Sequence, residues 1–321
     1  MNAPSGHELP PDKQRVFERA VKLEWFTIAY LLSAIGFIYL TLGSSQAMKT
    51  AWFEDMLSLV PPISFLVASR FRERRPTSVR PYGWHRSMSI AYLVASLALL
   101  GMGVFLLFDS VTGLASFEHP SIGTVVLFEH EVWLGWLMIP AAAYSAFPAM
   151  FIGRMKLPLA AALHDKVLYA DAKMNKADWL TGCAAIAGVT GIAFGLWWAD
   201  GVAAAVISAD ILHDGIANVR RSVADLMDGA PRRVDESGRE ALPARIETEM
   251  RKLSWVRDVR VRMRDEGHVF FGEVFVVPRD NERLTERIEE AAQRMSSLDW
   301  RLYELVLMPV SSFDEDPDSE A

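Results

Sequence analysis

The chain is poor in the residues that most often mark a chemical site. A single cysteine, Cys183, occurs among 321 residues. One thiol excludes an internal disulfide and a thiolate metal cluster, and Cys183 reads as a small residue packed inside a helix. Basic charge is not in excess: 33 Lys and Arg face 40 Asp and Glu, a net charge of -7. That balance argues against a nucleic-acid partner. The first 22 residues are polar and hold no signal-peptide core, so the first apolar run is expected to be kept as a membrane helix. No Ser or Cys elbow accompanies His213 and Asp214, so an intramembrane hydrolase has little support. The protein is expected not to be an enzyme and to hold no cofactor.

What is present is segregated. Hydrophobic residues make up 51% of the chain although 23% is charged. Residues 1–22 read as an N-terminal arm, unstructured over 1–12 and basic from Lys13 through Arg15, Arg19 and Lys22. Residues 23–230 hold six apolar stretches of about the length that crosses a bilayer. They run from about Trp25 to Leu42, Thr50 to Ala68, Met88 to Phe108, Val132 to Ile152, Leu163 onward, and Val202 past Asn218. Pro61-Pro62 interrupts the second, and Arg154 and Lys156 are expected to close the fourth. Lys and Arg concentrate in the N-terminal arm, in Arg70–Arg86 and in Arg154–Lys173. The loops near Gly43, Glu118 and Asp200 have almost none. This bias puts both termini in the cytoplasm of a multi-pass protein of the cytoplasmic (inner) membrane.

From Pro231 the pattern changes. A helical spacing over Leu242–Leu253 is followed by alternation over Val256–Met263 and Val269–Val277, with a turn at Asp265–His268. An amphipathic helix over Leu284–Met295 and a last strand over Leu302–Val310 complete an αββαβ order. Residues 231–311 are therefore expected to form a small cytoplasmic α+β domain, with helices on one face of a three-stranded sheet. Residues 312–321 read as an acidic disordered tail. The fold class is a membrane all-α six-helix bundle plus this α+β domain.

Acids inside the spans draw the chemistry. A carboxylate within a membrane helix is costly and by default marks an ion or proton path. Asp171, Met174 and Asp178 recur at spacings of three and four and so share one face of the fifth helix. Lys173 and Lys176 sit beside them and require counter-charges. Glu54 and Asp55 lie in the second span, about 100° apart around the helix, so only one can face the fifth span squarely. Asp210, His213 and Asp214 fall on the sixth. These three either supply ligands or a proton relay, or they neutralise Lys173 and Lys176. His119, Glu129 and His130 read as a solvated outer loop, with a cation-attracting vestibule as the second reading.

Several stretches, in order, resemble the cation diffusion facilitator family of divalent-metal transporters. Arg80-Pro81-Tyr82-Gly83-Trp84-His85-Arg86 looks like the family's loop before the third span, and Ala170-Asp171 to Asp178 like its fifth-span Ala-Asp-x-x-His-x-x-x-Asp. Trp198-Ala199-Asp200-Gly201 is similar to the turn before the sixth span, and Ser222 to Pro231 to the passage into the cytoplasmic domain. The resemblance implies a ferredoxin-like C-terminal domain, a homodimer and exchange of metal against protons. It implies a second-span ligand pair at Glu54 and Ser58, a fifth-span pair at Met174 and Asp178, and an Arg86–Asp228 pair that locks the dimer at the membrane boundary. His85 is then expected at that interface. With His268 as the lone histidine after His213, the cytoplasmic domain is expected to dimerise without a strong metal site.

Both histidines of the family's usual site are missing, and one carboxylate is a hydroxyl. Zinc favours nitrogen and sulfur in a closed tetrahedron. Carboxylates, a hydroxyl and water suit harder cations such as Mn²⁺, Mg²⁺ or Fe²⁺. The site is expected to be an acid-rich one shared by three helices, drawing on Glu54, Asp55, Ser58, Asp171, Met174, Asp178, Asp210, His213 and Asp214. The expected partners are the bilayer, a second copy of the chain, divalent cations and protons. The expected function is efflux of a divalent cation by proton-coupled alternating access. The alternative is a degenerate relative that acts as a regulatory or structural membrane dimer.

Overall fold

The computed structural model of the chain describes residues 9–72, 77–79, 82, 84, 86–116, 122–127, 130–235, 237–266 and 269–313. Arg80, Pro81, Gly83 and His85 of the third-span loop lie outside the described residues. So do Glu118, His119, Glu129, Gly267, His268 and most of the acidic tail.

Long helices come first. They are α1 (Pro11–Thr41), α2 (Gln46–Leu57), α3 (Val60–Arg72), α4 (Arg86–Ala115), α5 (Gly135–Leu163), α6 (Lys166–Ala193) and α7 (Ala199–Leu226). Among the described residues, four spans are long and apolar enough to cross a membrane: Pro11–Thr41, Gln46–Arg70, Gly135–Leu163 and Ala199–Leu226. A shorter apolar stretch covers Leu99–Ala115. Phe37, Leu40, Phe105, Phe108, Phe147, Phe151 and Val206 point outward and are exposed. Exposed apolar surface on this scale calls for a lipid or protein cover. α4 packs along α7, and α5 along α6. The α4–α7 crossing depends on two glycines. A Cβ on Gly103 would lie 2.8 Å from the Leu212 backbone, and one on Gly215 would lie 2.8 Å from the Leu100 backbone. Small residues of this kind let membrane helices approach closely.

Four sequence expectations shift. α1 begins at Pro11, whose fixed φ suits a first helical turn, so Lys13 to Lys22 are helical rather than a separate arm. The second span is interrupted at Ser58-Leu59, just ahead of Pro61-Pro62, because neither proline can donate to the carbonyl four residues earlier. α5 does not close at Arg154 and Lys156 but runs through both to Leu163. Lys156 is fully buried, held by carboxylates from α1 and α6. The loop expected after Asp109 is partly regular. α4 continues to Ala115, and β1 (Thr124–Leu127) pairs antiparallel with β2 (His130–Trp133).

The C-terminal unit has the order α8 (Leu242–Arg251), β3 (Val256–Glu266), β4 (Val269–Pro278), α9 (Leu284–Ser296), β5 (Leu302–Pro309). β4 is central, antiparallel to β3 and parallel to β5. A parallel neighbour needs a crossover, which α9 supplies. Ile246 and Met250 of α8 and Met295 of α9 join Val259, Phe270, Val274 and Leu307 in one core. β3 runs three residues further than the alternation indicated. Asp265 and Glu266 belong to the strand, opposite Phe270 and Val269.

Charged contacts fasten this unit to the helices. Lys166 lies 2.8 Å from Asp265 and 3.5 Å from Asp225. His164, at the left-handed C-cap of α5, has its Nδ1 2.8 Å from Arg301 Nη1. A guanidinium only donates, so Nδ1 accepts and the ring is neutral with its proton on Nε2. Burial, then the Arg301 guanidinium, then Lys166 push His164 down to about 3 from 6.5. Burial pushes Asp265 up to about 6, with Lys166 opposing it. Because the folded value for His164 lies below the unfolded one, its contribution is full above pH 6.5 and lost as pH falls toward 3. Asp265 acts in the opposite sense between 3.8 and about 6. Between pH 6.5 and 6 only His164 acts, and docking should weaken with acid by up to about 1.4 kcal/mol per pH unit. Hydrogen exchange of β5 and the Arg301 segment at pH 7.5, 6.5 and 6.0 checks this. A profile unchanged by His164→Gln would refute it.

Candidate metal centre

The break between α2 and α3 puts polar groups in an apolar interior. Ser45 and Asp200 secure the start of α2. Ser45 Oγ accepts from the Met48 amide at 3.1 Å and donates to Asp200 Oδ1 at 2.6 Å. Asp200 Oδ2 accepts from the Gln46 amide at 2.6 Å. A carboxylate at a helix N-terminus meets both its unpaired amides and its dipole. Asp200, in the Trp198–Gly201 turn, therefore ties the start of α7 to the start of α2.

From that fixed end, α2 carries Glu54 and Asp55 inward and ends at Ser58. Ser58 Oγ donates to Asp178 Oδ1 of α6 at 2.9 Å. Ser145 Oγ of α5 donates to Asp55 Oδ2 at 2.6 Å. The Glu54 carboxyl faces Asp178 and the Thr181 hydroxyl. Glu54, Asp55, Ser58 and Asp178 are each no more than 5% exposed. Adjacent residues point about 100° apart, and here Glu54 turns to α6 while Asp55 turns to α5. Pro61 and Pro62 leave the carbonyls of Leu57 and Ser58 without their helical donors, further oxygen beside the same cluster.

Two oxygens in this cluster lack any hydrogen-bond partner, Glu54 Oε2 and Asp178 Oδ2. Buried carboxylate oxygens are normally satisfied, and a buried anion needs a counter-charge. Lys156 acts on Asp178 from α5 but is itself bonded to Glu24 and Asp171. Among the described residues, no group of three or more His, Cys, Asp and Glu side chains is arranged to hold a metal. The donors in this cluster are thus the three carboxylates of Glu54, Asp55 and Asp178, hydroxyls and backbone carbonyls. That set matches hard cations that keep part of their water shell.

The other expected site residues are distributed unevenly. Asp171 lies two turns from Asp178, roughly 10 Å along α6, in a buried cluster of its own. Lys156 Nζ donates to Asp171 Oδ2 and, at 2.9 Å, to Glu24 Oε2. Asn175 Nδ2 donates to Asp171 Oδ1 at 3.1 Å. Met174 is half-buried between the two clusters. On α7, Asp210 and His213 are exposed and Asp214 is half-buried. Asp210 acts electrostatically on Glu54, and Asp214 on Lys173 and Arg221. Lys173 also rests 4.9 Å from the Tyr169 ring centroid. Arg86 pairs with Asp228, which adopts a left-handed backbone (φ 55°), and lies 3.5 Å from Glu266. Arg264 bonds Glu266 at 2.8 Å, so this network joins α4, the end of α7 and β3.

Sequence reasoning missed Glu24, Lys156, Ser145 and Thr181. Lys156 carried a signal: Met155 and Leu157-Pro158-Leu159 flank it, so the apolar run does not stop there. A lysine inside such a run needs a buried carboxylate.

Comparison with known proteins gives the family of the chain. The chain is 27% identical over 202 residues to the manganese efflux system protein MneS of Bacillus subtilis (strain 168), covering 63% of this chain and 66% of that protein. It is 25% identical over 182 residues to the uncharacterized transporter YdbO of the same organism, covering 56% and 57%. The chain thus spans somewhat less than two thirds of either relative. Residues 24–227 match the cation efflux transmembrane domain, a range that runs from within α1 to the end of α7 and includes Glu24, Glu54, Asp55, Asp171 and Asp178. The chain belongs to the cation efflux family, whose members are transporters and not enzymes.

Proposed function

We propose that the chain exports a hard divalent cation from the cytoplasm, with Mn²⁺ the first candidate. The observation that carries this is the pair of unpartnered, buried oxygens on Glu54 and Asp178, set among hydroxyls. Asp55 and Ser58 complete the proposed ligand set, and water fills the remaining positions. Asp210, His213 and Asp214 on α7 serve as a path for cations or protons to Glu54. The manganese named in one relative points to the same chemistry. Asp171 and Met174 stand outside the ligand set in this reading, because Lys156 already occupies Asp171.

The mechanism follows from competition. A carboxylate that holds a proton cannot hold a metal, so the two bind exclusively. Ionised Glu54 and Asp178 take the cation from the cytoplasmic side. A rearrangement of α2, α5 and α6 opens the site outward, and entering protons release it. The break at Ser58-Leu59 is a natural hinge for that step. In this reading α1, α2 with α3, α4, α5, α6 and α7 make six crossings of the inner membrane. Both termini are cytoplasmic, and two copies pair.

Growth of a deletion strain across Mn, Fe, Co, Ni and Zn tests the selectivity. Sensitivity to manganese, with little change toward zinc, is expected. Sensitivity confined to zinc would refute the hard-cation reading. Normal growth on all five, with no metal-driven proton movement in vesicles, would support a non-transporting dimer instead.

A further inference from the structure

A second site lies well away from Glu54 and Asp178. A cavity of about 410 Å³ opens where α6 begins, α7 ends and the linker leads to the sheet domain. Six of its lining side chains are Lys or Arg: Lys166, Lys173, Arg220, Arg221, Arg232 and Arg239. Two are acidic, Asp225 and Asp265, and both pair with Lys166. The wall therefore keeps a large positive excess.

The backbone of the linker sets two of these arginines opposite each other. Arg232 and Arg239 face each other across an isolated antiparallel bridge. The bridge is closed by Arg233 N to Gly238 O at 3.1 Å and Glu240 N to Pro231 O at 2.9 Å. Like charges directly opposite on paired strands repel. Both arginines line the cavity, so an anion between them would turn that repulsion into two charge-assisted contacts. Val167, Tyr169, Ala170 and Ala224 provide an apolar wall on the helix side. The cavity thus combines guanidinium and ammonium groups with apolar surface, where α6 begins and α7 ends.

We propose that this cavity binds the phosphate head group of an anionic phospholipid from the cytoplasmic leaflet. Basic pockets between membrane helices on that side suit such head groups. The proposal rests on the reading that α6 and α7 cross the membrane. It needs no cation at Glu54 or Asp178, so it can fail or hold independently of transport. Without an anion, the cavity would also repel the divalent cations that approach from this side.

The test uses the purified full chain in detergent, titrated with phosphatidylglycerol, phosphatidylcholine or inorganic phosphate. Thermal melting and native mass spectrometry are the readouts. Phosphatidylglycerol should raise the melting temperature saturably and remain bound in the mass spectrum. Phosphatidylcholine and phosphate should do neither. In the R232Q/R239Q variant, both changes lying on the exposed linker, the apparent Kd for phosphatidylglycerol should rise about tenfold per arginine removed. Equal binding by the variant, or equal protection by phosphatidylcholine, would overturn the proposal. Protection by inorganic phosphate alone would overturn the lipid assignment.

Discussion

Replacing Asp178 with Ala should abolish cation flux while leaving the protein folded and inserted. The two halves of that expectation have separate causes. Flux depends on Asp178 because it presents one of the two unpartnered oxygens, and Ser58 fixes its rotamer at 2.9 Å. Loss of a mere outer-shell partner commonly costs 10–100-fold in metal affinity, so loss of a ligand should reduce transport by more than about 100-fold. Stability should be nearly unaffected, because Asp178 and Glu54 repel each other inside the bundle. Removing one relieves that repulsion and leaves only the Ser58 hydroxyl to find another acceptor. Metal uptake into inverted vesicles at matched protein levels is the measurement. Wild-type flux in D178A would show that the cation passes elsewhere.

The largest effect on stability should come from Lys156→Ala. Lys156 and Glu24 are fully buried, and Asp171 is 2% exposed. Deleting the ammonium leaves two carboxylates facing each other with no counter-charge. Breaking a buried pair from one side typically costs 3–5 kcal/mol, and α1, α5 and α6 all meet at this point. K156A should therefore melt far below wild type in detergent or fail to accumulate. Replacing the whole cluster, as Lys156→Met with Glu24→Gln and Asp171→Asn, should recover most of the loss, since neutral groups of similar volume carry no unpaired charge. If K156A melted like wild type, the ammonium would not be the group that holds these helices together.

Much of this arrangement could be read from residue order. Apolar runs, their Lys and Arg bias and the αββαβ alternation marked the helices and the sheet, because each depends on a period that side chains display directly. The acids of the spans stood out because each is costly where it sits. What could not be read was which acids share a site. Asp171 and Asp178 lie on one face of α6, yet Asp171 is drawn into the Lys156 cluster and Asp178 toward α2. Spacing places residues on a face but does not say which neighbour that face meets at each level. In the sequence Lys156 points to a helix end, because a lysine usually marks one, yet α5 runs on to Leu163. The burial of Lys156 depends on Glu24, 132 positions away in sequence. Ser145 and Thr181 carried no signal, since hydroxyls are common in membrane helices and bond their own backbone. The β1–β2 hairpin was hidden for another reason: its strands are 4 residues each, too short to show a period.

The most direct test is Mn²⁺ binding to purified protein, followed by electron paramagnetic resonance of the free ion, for wild type and the E54Q/D178N variant at pH 7.5. Both replacements keep side-chain volume and hydrogen-bonding capacity while removing charge, so folding should survive. A Mn²⁺ site in wild-type protein that disappears in the double variant, and that also weakens as pH is lowered, is the expected result. Unchanged binding in the double variant would place the cation away from Glu54 and Asp178 and contradict the assignment.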